Sequence, residues 1–202
     1  MAVFVTVGTT SFNDLIREVN QLSFHKAIAR LGYRKIFIQY GRGTVDPLPT
    51  ESPLEVVSFP FRTNLDSVFS ESSLVISHGG AGTCMEALTP PGKRKLIIII
   101  NETLMHNHQE ELALSLHEGK HAFVLRVKEL HKFISTGKYN PPSQYQGETF
   151  WYEADPVTLL GPLTSPESVG LVPFHRGDAS RLVNFLNDLL GFPHIGVCPS
   201  LT

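Results

Sequence analysis

Residues 75–88 read VISHGGAGTCMEAL: an apolar run, a histidine, three glycines within four residues, and a glutamate one helical turn further on. A buried strand that breaks into glycines and resumes as a helix is the joint of an open α/β sheet, whose ligands gather at the carboxyl ends of its strands. The remainder of the chain repeats that grammar. Upstream, Val3–Val7, Ile36–Tyr40 and Leu54–Phe59 read as short strands. A helical pattern through Leu15, Ile16, Val19 and Leu22, with Gly32 as its stop, separates the first two, and a short helix over Asn64–Phe69 follows the third. Downstream, Leu96–Ile100 is too apolar to be anything but buried on both faces. A helix over about Asn107–His117 and a strand over Ala122–Val127 complete the series. The expected fold is α/β, a Rossmann-like parallel sheet with helices on both faces.

Residues 1–134 form the expected nucleotide-binding domain. Residues 135–173, rich in Pro, Gly, Ser and Thr and without a sustained period, read as an irregular insertion that is mobile or draped over the surface. Residues 174–202 return as a C-terminal helix and tail, with Asp178 as N-cap and an apolar stripe of Leu182, Phe185, Leu186 and Leu189.

Composition narrows the partners. A formal net charge of -2 and the lack of a Lys/Arg block speak against nucleic acid. The longest apolar run, Leu96–Ile100, falls far short of the roughly 20 residues a membrane span requires. The start MAVFVTVGTT shows no basic leader and enters a strand directly. Two cysteines, Cys84 and Cys198, suit a reducing compartment, so a cytoplasmic protein is expected, brought to any membrane by something else.

The glycine turn itself suits an anion. Gly79, Gly80 and Gly82 let backbone approach a ligand, and the helix they open presents unpaired N–H groups toward a diphosphate. Thr83 adds a hydroxyl. Glu86 would repel phosphate if it faced it, and is better placed to accept hydrogen bonds from ribose hydroxyls. A ligand-free tight turn is the plainer alternative. There is no Gly-Lys-Ser/Thr triplet, so the P-loop reading fails, and the first strand leads into GTTSF rather than a dinucleotide fingerprint, although Glu102 stands where a ribose-binding acid would. Asn107, His108 and Gln109 fall at a helix start on the same sheet edge, where amide and imidazole groups could read sugar hydroxyls, with a simple N-cap as the alternative for Asn107. His106, His108, His117 and His121 match no zinc spacing, and no metal or cofactor is expected. The sequon at Asn101 and the RGD at Arg176–Asp178 read as coincidences, and Cys84 as a small packed residue.

Three stretches in order, FVTVGTTSFNDLI, LVISHGGAGTCMEAL and INETLMHNHQEELA, resemble the asparagine-linked glycosylation protein 13 family over about residues 2–130, and LVPFHRGDASRLVNFLNDLLGF resumes the likeness. That family corresponds to the C-terminal, donor-binding half of a GT-B glycosyltransferase. The resemblance implies transfer of GlcNAc from UDP-GlcNAc to GlcNAc-diphosphodolichol at the cytosolic face of the endoplasmic reticulum. It also implies a membrane-anchored partner, of the asparagine-linked glycosylation protein 14 type, docking the helix Asp178–Leu190. By the same resemblance Gly8, Thr9 and Thr10 lie against the diphosphate, with His78, Gly79, Gly80, Ala81, Gly82 and Thr83 cradling it from the other side. Glu86 holds the ribose, the backbone near Phe61 pairs with uracil, and Asn107, His108 and Gln109 bind the GlcNAc. His108 is the candidate for catalysis beside Glu86, though the general base could come from the acceptor side. Arg94 and Lys95 depart from a lysine–proline pair common in the family, a change expected to alter only a loop. The reading from another class is a nucleotide-sugar-binding or scaffold subunit with no catalysis of its own. A free-standing transferase is disfavoured because 202 residues leave no room for a second α/β half.

Overall fold

The apolar runs that read as strands lie side by side in parallel. In the computed structural model, which describes residues 1–44, 49–101, 107–142, 154–175 and 177, the strands are β1 (Ala2–Thr6), β2 (Lys35–Gln39), β3 (Glu55–Phe59), β4 (Ser72–Ser77), β5 (Lys95–Ile100) and β6 (Phe123–Arg126). Their order is β3-β2-β1-β4-β5-β6, all parallel. The chain winds one way from β1 to β3 and the other way from β4 to β6. The reversal falls between β1 and β4, and loops leaving those two strands part there into a crevice.

Alternation along the strands feeds two cores. Val3, Val5, Ile36, Ile38, Ile97 and Ile99 face α1 (Asn13–Val19), α2 (Leu22–Arg30) and α6 (Val127–Thr136). Phe4, Phe37, Val75, Leu96, Ile98 and Val124 face α3 (Asp66–Glu71), α4 (Ala81–Ala87) and α5 (Asn107–Glu118). The doubly wound sheet is therefore as expected. Among the described residues no helix is long and apolar enough to cross a membrane.

Three features differ from expectation. The first helical pattern is two helices, because Gln21 takes an extended conformation (φ -72, ψ 140) between α1 and α2. The stretch after β6 is a full helix, α6, which buries Leu130, Phe133 and Ile134 and ends on Gly137 in the left-handed region (φ 67). It runs into the stretch read as irregular, and the described parts of 135–173 beyond it are packed rather than draped. Tyr139 is buried, donating its hydroxyl to the Val124 carbonyl (3.1 Å) and accepting from the Val124 N–H (2.9 Å). A short helix α7 (Pro156–Leu160), capped by Asp155 accepting from the Thr158 N–H at 2.9 Å, brings Leu159 and Leu160 into the first core, and Val169 and Leu171 join them. The intervening residues 143–153 lie outside the described residues, as does the expected helix Asp178–Leu190.

Lys95 explains how that segment is held. Its side chain enters the amino end of β5 with 1% of the residue exposed, and Nζ donates to the carbonyls of Gly161 (2.8 Å) and Thr164. Beside it the buried Tyr33 hydroxyl donates to the Leu160 carbonyl at 2.9 Å. The pair Arg94–Lys95 thus does more than alter a loop. Lys95 fastens residues 160–164 beneath the sheet, at the end opposite the crevice.

Candidate functional site

The crevice is built from the two loops that flank the reversal. After β1, the Thr6 hydroxyl donates to Gln39 Oε1 (2.7 Å) and accepts from the Gly8 N–H (3.0 Å), so the turn is fixed from below. Gly8 then adopts φ 61. Thr10 donates its hydroxyl to the Val7 carbonyl at 2.8 Å, which commits that proton within the turn and leaves the oxygen only as an acceptor. Thr9 is exposed beside it.

After β4 comes His78, a buried ring whose backbone N–H donates to the Thr6 carbonyl at 3.2 Å. A Cβ on Gly8 would stand 2.9 Å from its Cε1, and one on Gly80 would stand 2.7 Å from its Nε2. The imidazole is therefore wedged between two glycines, one from each loop. This explains two of the glycines without invoking a ligand. Burial lowers the imidazole pKa, opposed by the Thr6 backbone, and Nδ1 is enclosed without a hydrogen bond of full geometry, so the ring is neutral at physiological pH. Gly79 is left-handed at φ 82, whereas a Cβ at Gly82 would meet nothing within 4 Å. Gly8→Ala and Gly80→Ala should each lower stability by about 1–2 kcal/mol, the first by left-handed strain and by displacing the ring, the second by displacing the ring alone. Gly82→Ala should be near neutral. Thermal unfolding of the three variants decides it: equal midpoints would mean the ring is not wedged.

Helix α4 opens at Ala81 with Gly80 as its N-cap and carries Gly82, Thr83, Cys84 and Glu86. Cys84 is buried and its thiol is pushed up to about 12 by burial, so it is inert packing. Glu86 is partly exposed. Its pKa is raised, first by burial and then by Asp66, with Arg94 acting against both. Phe61, in the loop after β3, is 56% exposed. With Thr9, Gly41 and Arg42 it lines a hollow of about 240 Å³ at the same sheet edge. Gly41 has no room for a side chain, since its Cβ would meet the Thr10 carbonyl at 2.1 Å. A second hollow, about 380 Å³, opens along the edge between Phe12, Arg17, Asn101 and Lys128.

The structure thus brings Gly8, Thr9, Thr10, His78, Gly79, Gly80, Ala81, Gly82, Thr83, Glu86 and Phe61 to the carboxyl edge of one sheet. Asn107 begins α5 at that edge; the side chains of Asn107, His108 and Gln109 lie outside the described residues, as do Glu102 and His106. His117 and His121 are structural: His117 Nδ1 lies 3.2 Å from the Tyr139 hydroxyl, and His121 Nδ1 lies 2.8 Å from the Val172 carbonyl. Arg42, Asp66 and Arg94 were not anticipated. Arg42 had a signal, a cation between two glycines of a loop following a strand; Asp66 comes to Glu86 from the start of α3, and Arg94 by folding its side chain back from the approach to β5.

Comparison with known proteins agrees with this architecture. Residues 2–140 match the model of the glycosyltransferase family 28 C-terminal domain. The human UDP-N-acetylglucosamine transferase subunit ALG13 is 49% identical over 131 residues, 63% of this chain but only 11% of that protein. The subunit of the same name from Kluyveromyces lactis is 33% identical over 58% of this chain and 75% of its own length. Among solved structures, the crystal structure of MurG from Acinetobacter baumannii superposes with a TM-score of 0.50 at 19% identity, covering 66% of this chain and 39% of that one.

Proposed function

The chain belongs to the glycosyltransferase family 28 C-terminal domains, within the ALG13 family, and from that premise we propose that it is the donor-binding subunit of a UDP-GlcNAc transferase. The observation that carries the proposal is the switch point between β1 and β4, where the loops bearing Gly8 and Gly79–Thr83 leave adjacent parallel strands and Glu86 follows one turn into α4. Backbone N–H groups at such a switch point suit a diphosphate, and a carboxylate offset along the same helix suits ribose hydroxyls. Gly8, Thr9, Gly79, Gly80, Ala81, Gly82 and Thr83 are assigned to the diphosphate, with Thr10 and His78 shaping the two turns beneath it; Glu86 is assigned to the ribose, and the loop at Phe61 to uracil. Asn107, His108 and Gln109 are assigned to the GlcNAc.

The reaction proposed is inverting transfer to GlcNAc-diphosphodolichol. The acceptor hydroxyl oxygen forms a bond to C1 of the GlcNAc, the C1–O bond to the diphosphate breaks, UDP departs, and the acceptor proton passes to a base. This chain's contribution is electrostatic, fixed dipoles aimed at the charge gathering on the leaving diphosphate. His108 is assigned to the donor sugar, and the base to whichever chain presents the acceptor. The lipid-linked acceptor is assigned to a membrane-anchored partner at the cytosolic face of the endoplasmic reticulum, a reading supported by the relatives' description as a transferase subunit.

Radiolabelled GlcNAc transfer to a GlcNAc-diphosphate-lipid tests this, with the chain alone and with a membrane-anchored acceptor-binding subunit. Activity is expected only in the pair. Activity of the chain alone would overturn the half-enzyme reading. An assembled but inactive pair would leave a nucleotide-sugar-binding subunit in its place.

A further inference from the structure

Arg94 stands just before β5 and reaches back across the helical layer. Its Nε donates to the Phe69 carbonyl (2.8 Å) in α3, and one terminal nitrogen donates to the Thr89 carbonyl (2.6 Å) beyond α4, with longer approaches to Ala87 (3.4 Å) and Glu86 (3.5 Å). The carbonyls at a helix end have no partner within the helix, and the planar guanidinium satisfies several at once. Its Cζ also lies 5.4 Å from the Phe69 ring centre. One side chain thereby joins the last turn of α3 to the last turn of α4. The first helix follows the loop of Phe61 and begins with Asp66, and the second carries Glu86.

We propose that Arg94 is a positioning residue of the donor site: it fixes α4 against α3 and so sets the place of Glu86 relative to the Phe61 loop. The inference rests on the reading of Glu86 as the carboxylate that holds the ribose. Two charged groups act on Glu86, Asp66 from α3 and Arg94 from the β5 approach, and they act in opposite senses. A capping residue without a role in the site would affect folding alone. Arg94 would affect nucleotide affinity and its acid limit as well.

The test is calorimetric titration of the full chain with UDP at a series of pH values from mildly acidic to neutral, since the Glu86 carboxyl is raised above its ordinary value. Arg94→Met should weaken UDP binding about tenfold at neutral pH, the effect of losing roughly one charge-assisted bond's worth of placement. It should also move the acid midpoint of binding upward, whereas Asp66→Asn should move it downward. Arg94→Lys keeps the charge but not the fan of donors, so it should restore the midpoint without restoring the affinity. A folded Arg94→Met protein with unchanged affinity and midpoint would overturn the proposal. If that variant does not fold, Arg94→Lys decides: wild-type affinity overturns the proposal, and weakened affinity at a near-normal melting temperature supports it. Glu86→Gln separates the two readings. Wild-type UDP affinity in that variant would sink the ribose assignment, and this inference with it.

Discussion

Glu86→Ala is expected to weaken UDP-GlcNAc binding by about 100-fold and to remove transferase activity at limiting donor, while leaving the fold intact. A carboxylate accepting two ribose hydroxyls makes charge-assisted bonds of roughly 1.5–3 kcal/mol each, of which a net loss near 3 kcal/mol is about two decades in affinity. The side chain is only partly buried and makes no bond that the fold needs, so unfolding should not confuse the result. Its pH dependence follows from the raised pKa, whose first cause is burial and whose second is Asp66. The binding form is the ionised one. Affinity should therefore be full near neutrality and fall, as pH drops, at a pH above the ordinary glutamate range. In Glu86→Gln that limb should vanish. A Glu86→Ala protein that binds UDP-GlcNAc like the wild type would move the ribose elsewhere on the edge.

The placement of Glu86 shows what the sequence alone could tell. The alternation of apolar runs with helical patterns was enough for the doubly wound sheet, because strands buried on both faces, such as Leu96–Ile100, have no other home. The glycine turn was legible as a close backbone approach. That Gly8 and Gly80 serve the His78 ring was not, because the wedge joins loops about seventy residues apart, and no local pattern records it. Helix α6 does carry its signal in the sequence: Leu130, Phe133 and Ile134 stand at helical spacing before Gly137. The segment 154–172 was opaque for a better reason. Its buried residues Leu159, Leu160, Val169 and Leu171 follow no single period, since they are held by a lysine and a tyrosine from other elements rather than by an amphipathic face. Arg94 and Lys95 read in sequence as a change confined to a loop, yet one faces the helices near the site and the other lies beneath the sheet.

Lys95→Met is the second large effect, and it falls on stability. The substitution keeps the stem's volume but strands the Gly161 and Thr164 carbonyls, which cost about 1–3 kcal/mol each when buried without donors. Removing an ammonium from the interior offsets part of this, for a net loss of about 2 kcal/mol, or a melting temperature lower by about 4–8 °C in a domain of this size. Hydrogen exchange should quicken over 156–171 and stay unchanged at the glycine turn, since the two ends of the sheet do not share these contacts. The pH profile distinguishes loss of the ammonium from loss of packing. Burial lowers the Lys95 pKa to about 8, from an ordinary lysine value of 10.5. Between those values the unfolded chain holds a proton that the folded chain has released, so wild-type stability should rise with pH across that window, by about 3 kcal/mol if no other group titrates with it. Lys95→Met lacks the group and should lack the rise. The two proteins should then differ in slope as well as in height between pH 8 and 10.5, with a crossing impossible below pH 8, where both states of Lys95 are charged. Parallel stability profiles across the window would mean that the ammonium is solvated in the native protein, and that residues 160–164 are held by Tyr33 and apolar contact instead.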